Sequence, residues 1–179
     1  MTSRTAPVTI VAVLVASLAG CAAAPTEPSG PTPAFSSEAE AFAAAEETYR
    51  AYVDALNQVD LSDPETFEDV YAWTTGEANA DERKNFSQMH GDGWVVSGES
   101  RATVVEARSL GGTNERTLEI AVCLDVSDVE LVDSEGQSVV DADRPAVQSM
   151  LVTLASSPTT STTWVIASIT GRDGAPRCD

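Results

Sequence analysis

Residues 117–126 read TLEIAVCLDV, and this stretch decides the fold. Apolar side chains occupy every second position: Leu118, Ile120, Val122, Leu124 and Val126. The positions between them hold Glu119, Ala121, Cys123 and Asp125. Because successive side chains of a β-strand point to opposite faces, this alternation predicts a strand with one face in the core.

Five further strands are predicted around this one. Their apolar and β-branched runs cover residues 94–98, 102–110, 129–132, 147–155 and 164–170. Turn-forming residues separate the runs, at Gly111-Gly112 with Asn114, at residues 133–136 and at Ser157-Pro158. Strands joined by such turns indicate an antiparallel sheet.

The segment before the strands has the pattern of helices. Ser37 followed by Glu40 matches a capping box, and apolar residues then recur every three or four positions as far as Leu56. This spacing predicts a first helix of about twenty residues with one buried face.

Two shorter helices are predicted after it. The second starts at Ser62, with Pro64 in its first turn and Glu65 repeating the capping pattern. The third covers residues 77–90, with Gly91 as a left-handed cap. Helices followed by antiparallel strands predict an α+β fold, in which the helices pack on one face of a curved sheet of about five or six strands.

Residues 1–20 have the layout of an export signal. Arg4 precedes an apolar run of about 14 residues, which is shorter than the roughly 20 that a membrane-spanning helix needs. The run ends in Leu18-Ala19-Gly20-Cys21, which resembles the lipobox of bacterial exported lipoproteins. The resemblance implies cleavage before Cys21 and a diacylglyceryl group on its sulfur, which anchors the protein to the outer side of a cell membrane. A cysteine placed there by chance is the alternative.

Residues 21–36 are rich in alanine and proline and carry almost no charge. They are interpreted as an extended stalk between the anchor and a domain of residues 37–179. The chain has 10 basic and 28 acidic residues, and removal of the leader leaves 9 basic against 28 acidic, a formal charge of −19. Such a charge repels nucleic acid, so no nucleic-acid partner is expected.

Cys123 and Cys178 form an even pair once Cys21 carries lipid. In an oxidising compartment two such cysteines are expected to form a disulfide. The bond would close a loop of about 55 residues, which the chain-entropy model values at roughly 4 kcal/mol. Two buried free thiols are the alternative.

Several features together carry a family resemblance. They are the capped first helix with Tyr49 and Tyr52, residues 71–76 (YAWTTG), Gly93, Cys123-Leu124-Asp125, Trp164 and the terminal Cys178. The arrangement looks like the nuclear transport factor 2-like (cystatin-related) cone fold, and in particular like small envelope lipoproteins of actinobacteria. In such proteins the cysteine of the Cys-Leu-Asp segment pairs with the C-terminal one. The fold hosts isomerases, dehydratases, hydrolases and many non-enzymes, so it does not select a function.

An enzyme of this fold class would use a carboxylate base and a tyrosine or second acid inside a cone-shaped pocket. The candidate groups are Tyr49, Tyr52, Tyr71, Asp54 and Asp125. Both tyrosines of the first helix lie on its apolar stripe, where packing in the core is the default interpretation. Asp125 is predicted to face away from the pocket, because it alternates with Leu124.

His90 is the only histidine and is interpreted as a partner of a helix C-terminus. The acidic turn at residues 133–136 lacks the alternating ligands of an EF-hand loop. No glycine-rich phosphate loop follows a strand. The sequence therefore predicts no catalytic residues, no metal site and no cofactor.

Tyr52, Trp73 and Trp94 are predicted to lie on elements that surround the opening of the cone. There they either line a pocket for an apolar ligand or fill it. The sequence favours a non-enzymatic, lipid-anchored, extracytoplasmic module that binds an envelope protein or a small apolar ligand. A pocket enzyme of the isomerase or dehydratase type and an accessory subunit of an envelope assembly are the alternatives.

Overall fold

The computed structural model describes residues 35–111 and 117–178. The predicted leader, the lipid-attachment residue Cys21, the stalk as far as residue 34 and the predicted turn at residues 112–116 lie outside the described residues. Within the described residues, no helix combines the length and the apolar character that crossing a bilayer requires.

Helix α1, Glu38–Leu56, begins at the predicted cap. The Ser37 hydroxyl accepts a hydrogen bond from the Glu40 backbone amide at 3.1 Å. The Glu40 carboxylate accepts one from the Ser36 amide at 2.8 Å, so the capping box closes one residue earlier than predicted. Buried side chains recur every three or four residues along the helix.

A 3₁₀ turn, Pro64–Thr66, leads into the short helix α2, Phe67–Tyr71. The residue that caps the turn is Asp63, whose carboxylate accepts from the Glu65 amide at 3.1 Å. The prediction of Ser62 as the cap is therefore wrong. A proline in the first helical position places the cap at the residue directly before it, which explains the shift.

Helix α3, Gly76–Gly91, ends later than predicted. Gly91 belongs to the helix, and Asp92 keeps right-handed geometry with φ −82°. The left-handed residue that turns the chain is Gly93, with φ 69°. The predicted glycine cap at Gly91 is therefore wrong by two positions.

Six strands follow, and their bounds are β1 Val95–Ser97, β2 Arg101–Gly111, β3 Thr117–Asp125, β4 Glu130–Val132, β5 Val147–Ser156 and β6 Trp164–Gly171. All the pairings within the two sheets are antiparallel. The α+β class is confirmed, but the strands form two sheets and not one. A four-stranded sheet has the order β2-β3-β5-β6, and β1 pairs with β4 in a separate ribbon.

The ribbon extends the β2–β3 pair beyond a break. Arg101 is opposite Asp125 at the end of the main sheet, and Ser97 is opposite Glu130 at the start of the ribbon. Residues 98–100 and 126–129 lie between these pairs and do not join the ladder. The unequal lengths of the two connections interrupt the register, which separates the ribbon from the sheet.

The core lies between the four-stranded sheet and the helices. Helix α1 packs on β2, β3 and β6, and α3 packs on β6. Leu118, Ile120 and Val122 of β3 are fully buried. On the opposite face of the same strand, Ala121 and Cys123 are buried as well, so the centre of the sheet is covered on both sides.

Candidate functional site

A groove with a volume of about 730 Å³ lies beside the β1–β4 ribbon. Its walls come from the C-terminal ends of α1 and α3, from both ribbon strands and from the loop before β5. The apolar side chains that line it include Leu56, Phe86, Met89, Val96, Leu131 and Val140. The volume falls in the range of about 300–1,000 Å³ that is usual for small-molecule sites.

Two hydrogen bonds join the end of α1 to the β1–β2 connection at one wall of the groove. The side-chain amide nitrogen of Asn57 donates to the Ser100 carbonyl at 2.9 Å. The Asn57 side-chain oxygen accepts from the Ser100 backbone amide at 2.8 Å. Because Asn57 also caps α1, these bonds fix the position of the helix end relative to the ribbon.

Gly98 allows the close approach that shapes the same wall. It has φ 82°, and a Cβ at this position would stand 1.8 Å from the Asp128 carbonyl oxygen. Only glycine adopts this backbone geometry and leaves room for the neighbouring chain. The break between the ribbon and the main sheet therefore depends on a glycine here.

Arg144 is the only basic residue among those that line the groove. Its Nη2 donates to the carbonyl oxygens of Val126 at 3.0 Å and Val129 at 2.8 Å. Within the described residues, no acceptor bonds to its Nη1, and no carboxylate lies within 4.0 Å of the guanidinium. The side chain is thus oriented by backbone carbonyls and has no charged partner in the described part of the chain.

Two acidic residues, Glu99 and Asp141, lie on the rim of the groove. Glu99 is 3.8 Å from Arg101, which also donates to Asp128 at 2.8 Å. The Asp141 carboxylate accepts a hydrogen bond from the Asp143 backbone amide at 2.9 Å. Both acids are solvent-exposed, so their charges act on groups close to the rim and are screened at longer range.

A second cavity, of about 310 Å³, lies between α1, α3 and strands β3, β5 and β6. Inside it the Tyr52 hydroxyl donates a hydrogen bond to the Glu82 carboxylate. The Tyr49 ring lies next to Tyr52, with 5.9 Å between the ring centroids. Gln148 and Met150 of β5 complete the wall opposite the helices.

The surroundings of Tyr52 and Glu82 raise the pKa of both groups. Burial raises the pKa of Glu82, the Tyr52 hydrogen bond opposes that rise, and the charge of Asp81 adds to it. Burial and the negative charge of Glu82 raise the pKa of Tyr49 and of Tyr52. A half-buried carboxyl that contacts a protonated tyrosine is an arrangement able to exchange protons with a bound molecule.

The three side chains that were predicted to line one pocket lie at separate places. Tyr52 borders the second cavity. Trp73 borders an open cleft of about 500 Å³, together with Asp54 and Asp69. Trp94 is half-buried against the core directly before β1. None of the three belongs to the lining of the groove.

Cys123 and Cys178 are joined by a disulfide, with 5.4 Å between their Cα atoms. Arg172 also holds the C-terminal segment, because its guanidinium donates to the carbonyls of Gly174 at 3.0 Å and Pro176 at 2.8 Å. The segment after β6 is therefore attached to the face of the sheet that the helices leave uncovered.

The remaining candidates have structural contacts. His90, in the last turn of α3, donates from Nδ1 to the Leu61 carbonyl at 2.7 Å. Asp125 accepts from the Ser127 amide at 2.9 Å in the turn after β3. In the part of the chain that the structure describes, no group of three His, Cys, Asp or Glu side chains is placed to hold a metal ion.

Sequence reasoning missed Glu82 and Arg144. A signal for Glu82 was present, because it follows Ala78 and precedes Phe86 at intervals of four, and both neighbours are buried on α3. A glutamate in that row has to enter the apolar face. No local pattern marks Arg144, since its carbonyl partners lie 18 and 15 positions away.

The sequence matches no protein-family model and no curated protein. Among solved structures it is similar to a periplasmic fragment of TraM, with a TM-score of 0.48 and 12% identity over 78% of this chain and 100% of that one. The intermembrane space region of the chloroplast protein ARC6 has a TM-score of 0.48 and 12% identity over 71% of this chain and 92% of that one. The periplasmic domain of DotI has a TM-score of 0.46 and 13% identity, over 78% of this chain and 98% of that one.

Similarities at this level do not transfer a function to the chain. The resemblance to the nuclear transport factor 2-like cone fold stays a prediction. The groove and the second cavity are the features of the described chain that determine what it can bind.

Proposed function

We propose that the protein is a lipid-anchored, extracytoplasmic binding module that takes a small apolar ligand into the groove beside the β1–β4 ribbon. One observation carries the proposal: the groove has a volume of about 730 Å³ and walls of aliphatic, aromatic and thioether side chains. Concave apolar sites with a few polar groups are the usual form of small-molecule binding sites.

The described surface favours a small ligand over a protein partner. Large exposed hydrophobic side chains among the described residues are Val95, at 57% exposure, and Leu110, at 44%. They belong to strands of different sheets. Contiguous exposed apolar patches mark many protein-interaction sites, and these two separate residues do not form one within the described residues.

Two observations support the location. The first 21 residues resemble the leader and lipobox of exported lipoproteins. The Cys123–Cys178 disulfide is typical of proteins in an oxidising compartment such as the cell exterior. An anchored domain in that place meets ligands at the cell envelope.

The binding proposal is tested with an apolar fluorescent probe and two neighbouring substitutions in β1. Val96 lines the groove, whereas Val95 is exposed and belongs to none of its walls. Val96→Glu places a carboxylate in the groove and should weaken probe binding at least ~10-fold, because an apolar probe that covers it would remove water from a charged group. Val95→Glu should leave binding unchanged, and Val96→Phe, which fills the groove without a charge, should weaken it too.

Equal probe binding by the wild-type chain and by both Val96 variants would refute the groove as the site. Circular dichroism of each variant shows whether the fold is retained. The Val95→Glu control accounts for any general effect of a new negative charge on an already acidic protein.

The anchoring proposal is tested at Cys21. Replacing this cysteine with serine removes the sulfur that the lipid requires, so the protein should be released from the membrane fraction or stay unprocessed. Normal processing and membrane fractionation of the Cys21→Ser variant would contradict the anchor.

A second candidate function rests on the Tyr52–Glu82 pair. A half-buried carboxyl with a raised pKa that contacts a tyrosine in a cavity favours an enzyme of the isomerase or dehydratase type. The direct test is deuterium uptake from D₂O at carbons next to a carbonyl group, in a panel of small ketones. Uptake that Glu82→Gln abolishes and Val96→Glu preserves would support this candidate, and no uptake above the uncatalysed rate would dismiss it.

A further inference from the structure

We propose that the groove takes a single-chain amphiphile with one negative charge, a long-chain carboxylate, and that Arg144 binds its head group. The proposal rests on the proposed function, since it names the class of ligand for the same groove. It adds a charge requirement that an apolar cavity alone does not imply.

Arg144 is held by hydrogen bonds at one guanidinium nitrogen and has a second nitrogen without an acceptor among the described residues. Its Nη2 is held by the carbonyls of Val126 and Val129, so the guanidinium has a fixed direction in the groove wall. Among the described residues, neither a carboxylate nor another acceptor engages Nη1. Every buried side-chain nitrogen or oxygen in the described structure has a partner, so Nη1 is open to solvent or to a ligand.

The position of Arg144 distinguishes it from the other arginines without an ion pair. Among the described residues Arg50, Arg83 and Arg101 have carboxylate partners, and Arg108, Arg172 and Arg177 have none there. Of these seven arginines, Arg144 is the one that lines the groove. Arg144 is half-buried and lacks such a partner within the described residues. Hydrogen bonds between a guanidinium and a carboxylate are among the stronger ones in proteins. A ligand with a carboxylate would therefore supply the partner that the Arg144 guanidinium lacks.

The rest of the groove sets the other properties of the ligand. The apolar walls suit an alkyl chain, and each methylene that they bury stabilises the complex. A single trough of about 730 Å³ has the size of one small-molecule site, which favours one chain over the two chains of a phospholipid.

The rim limits the head group to one charge. Glu99 and Asp141 lie at the groove, and a like charge close to them is disfavoured. Glu99 is partly compensated by Arg101 at 3.8 Å, and Asp141 accepts a backbone hydrogen bond. A monoanionic carboxylate at Arg144 meets one guanidinium, whereas a doubly charged phosphate would leave excess charge beside the two acids.

The test compares ligands that share one alkyl chain and differ in the head group. Dodecanoate, dodecanol and dodecyltrimethylammonium are titrated into the full chain below their critical micelle concentrations, at about pH 8, where the carboxylate is ionised. Dodecanoate should bind about 10-fold more tightly than dodecanol, and the ammonium compound should bind most weakly. In Arg144→Gln the preference for dodecanoate over dodecanol should disappear.

Arg144→Lys distinguishes the charge from the support that Arg144 provides to the loop. Lysine keeps the positive charge but lacks the planar fork that holds both carbonyls. It should retain a preference for dodecanoate of at least a few-fold, even if Arg144→Gln binds neither ligand because the loop has moved. A dodecanoate preference that neither variant changes would overturn the assignment to Arg144.

The outcomes separate this inference from the proposed function. One outcome is that dodecanol binds the wild-type chain as tightly as dodecanoate and that Val96→Glu abolishes the binding of both. The groove then binds apolar ligands without discriminating between head groups, and only the present inference fails. If neither ligand binds, the proposed function fails as well. Tighter binding of the ammonium compound, or binding only of diacyl phospholipid vesicles, would also overturn the inference.

Discussion

Gly98 and Gly136 have nearly the same backbone geometry but different surroundings. Their φ angles are 82° and 77°. A Cβ on Gly98 would lie 1.8 Å from the Asp128 carbonyl oxygen, whereas one on Gly136 would have no atom within 4 Å. Substitutions at the two glycines therefore distinguish the energetic cost of a left-handed backbone from the cost of a steric clash.

Alanine at these two glycines should destabilise the protein to different extents. Gly136→Ala is expected to lower the free energy of unfolding by about 1–2 kcal/mol, the cost of a left-handed L-residue. Gly98→Ala adds a backbone clash and should exceed that loss by at least ~1 kcal/mol. Urea denaturation measures both, and equal losses would contradict the close approach at the groove wall.

Glu82 should make stability depend on pH. Its folded-state pKa is raised from the ordinary 4.5, so the stability that it contributes at low pH is lost as the pH rises through the folded pKa. Asp81 and the tyrosines Tyr49 and Tyr52 are the titratable groups around it. Glu82→Gln lacks this loss, so its free energy of unfolding should increase relative to wild type as the pH rises above about 4.5.

Denaturation at a series of pH values measures this difference. Glu135→Gln, in an exposed turn, serves as the control and should show no such trend. A difference between Glu82→Gln and wild type that stays constant, or that falls with pH, would contradict the raised pKa.

Single residues show where sequence reasoning reaches its limit. The cap at Ser37 follows from a local pattern and is confirmed. Glu82 was recoverable from its place in the apolar row of α3, but Arg144 was not, because its partners come from a distant turn. Local spacing therefore predicts caps and faces, and it does not predict which loop supplies a buried charge.

At the scale of elements, the sequence predicted six strands at close to their observed positions. Alternation and turn residues are local properties, which is why β3 and its neighbours could be placed. The division into a sheet and a ribbon could not be predicted, since it depends on two unequal connections that meet across the β2–β3 pair. The groove lies beside that division, so it was missed for the same reason.

The disulfide joins the last residues to the central strand and should contribute strongly to stability. Closing a loop of 55 residues is worth roughly 4 kcal/mol in the chain-entropy model. Cys178→Ala should lower the free energy of unfolding by about that amount, and a reducing agent should lower it in the wild type but not in the variant. A loss below ~1 kcal/mol would contradict a structural role for the bond.

The whole molecule brings the two candidate sites into one domain. Leu56 borders both the groove and the Tyr52–Glu82 cavity. The groove is larger, and it contains a guanidinium that has no carboxylate partner among the described residues. The smaller cavity contains the half-buried carboxyl of Glu82. The central claim is that the ligand enters the groove.

Two methionines report on the two sites separately. Met89 lines the groove and Met150 lines the second cavity. The third methionine of the chain, Met1, belongs to the predicted leader. A protein with isotope-labelled methionine methyl groups therefore has one reporter in each site.

The most direct test follows the two methyl resonances by NMR while dodecanoate is added, with Met89→Leu to assign them. The Met89 methyl should shift in a saturable way, and the Met150 methyl should stay in place. A saturable shift of Met150 with an unchanged Met89, or no shift of either, would contradict the claim that the groove beside the ribbon is the binding site.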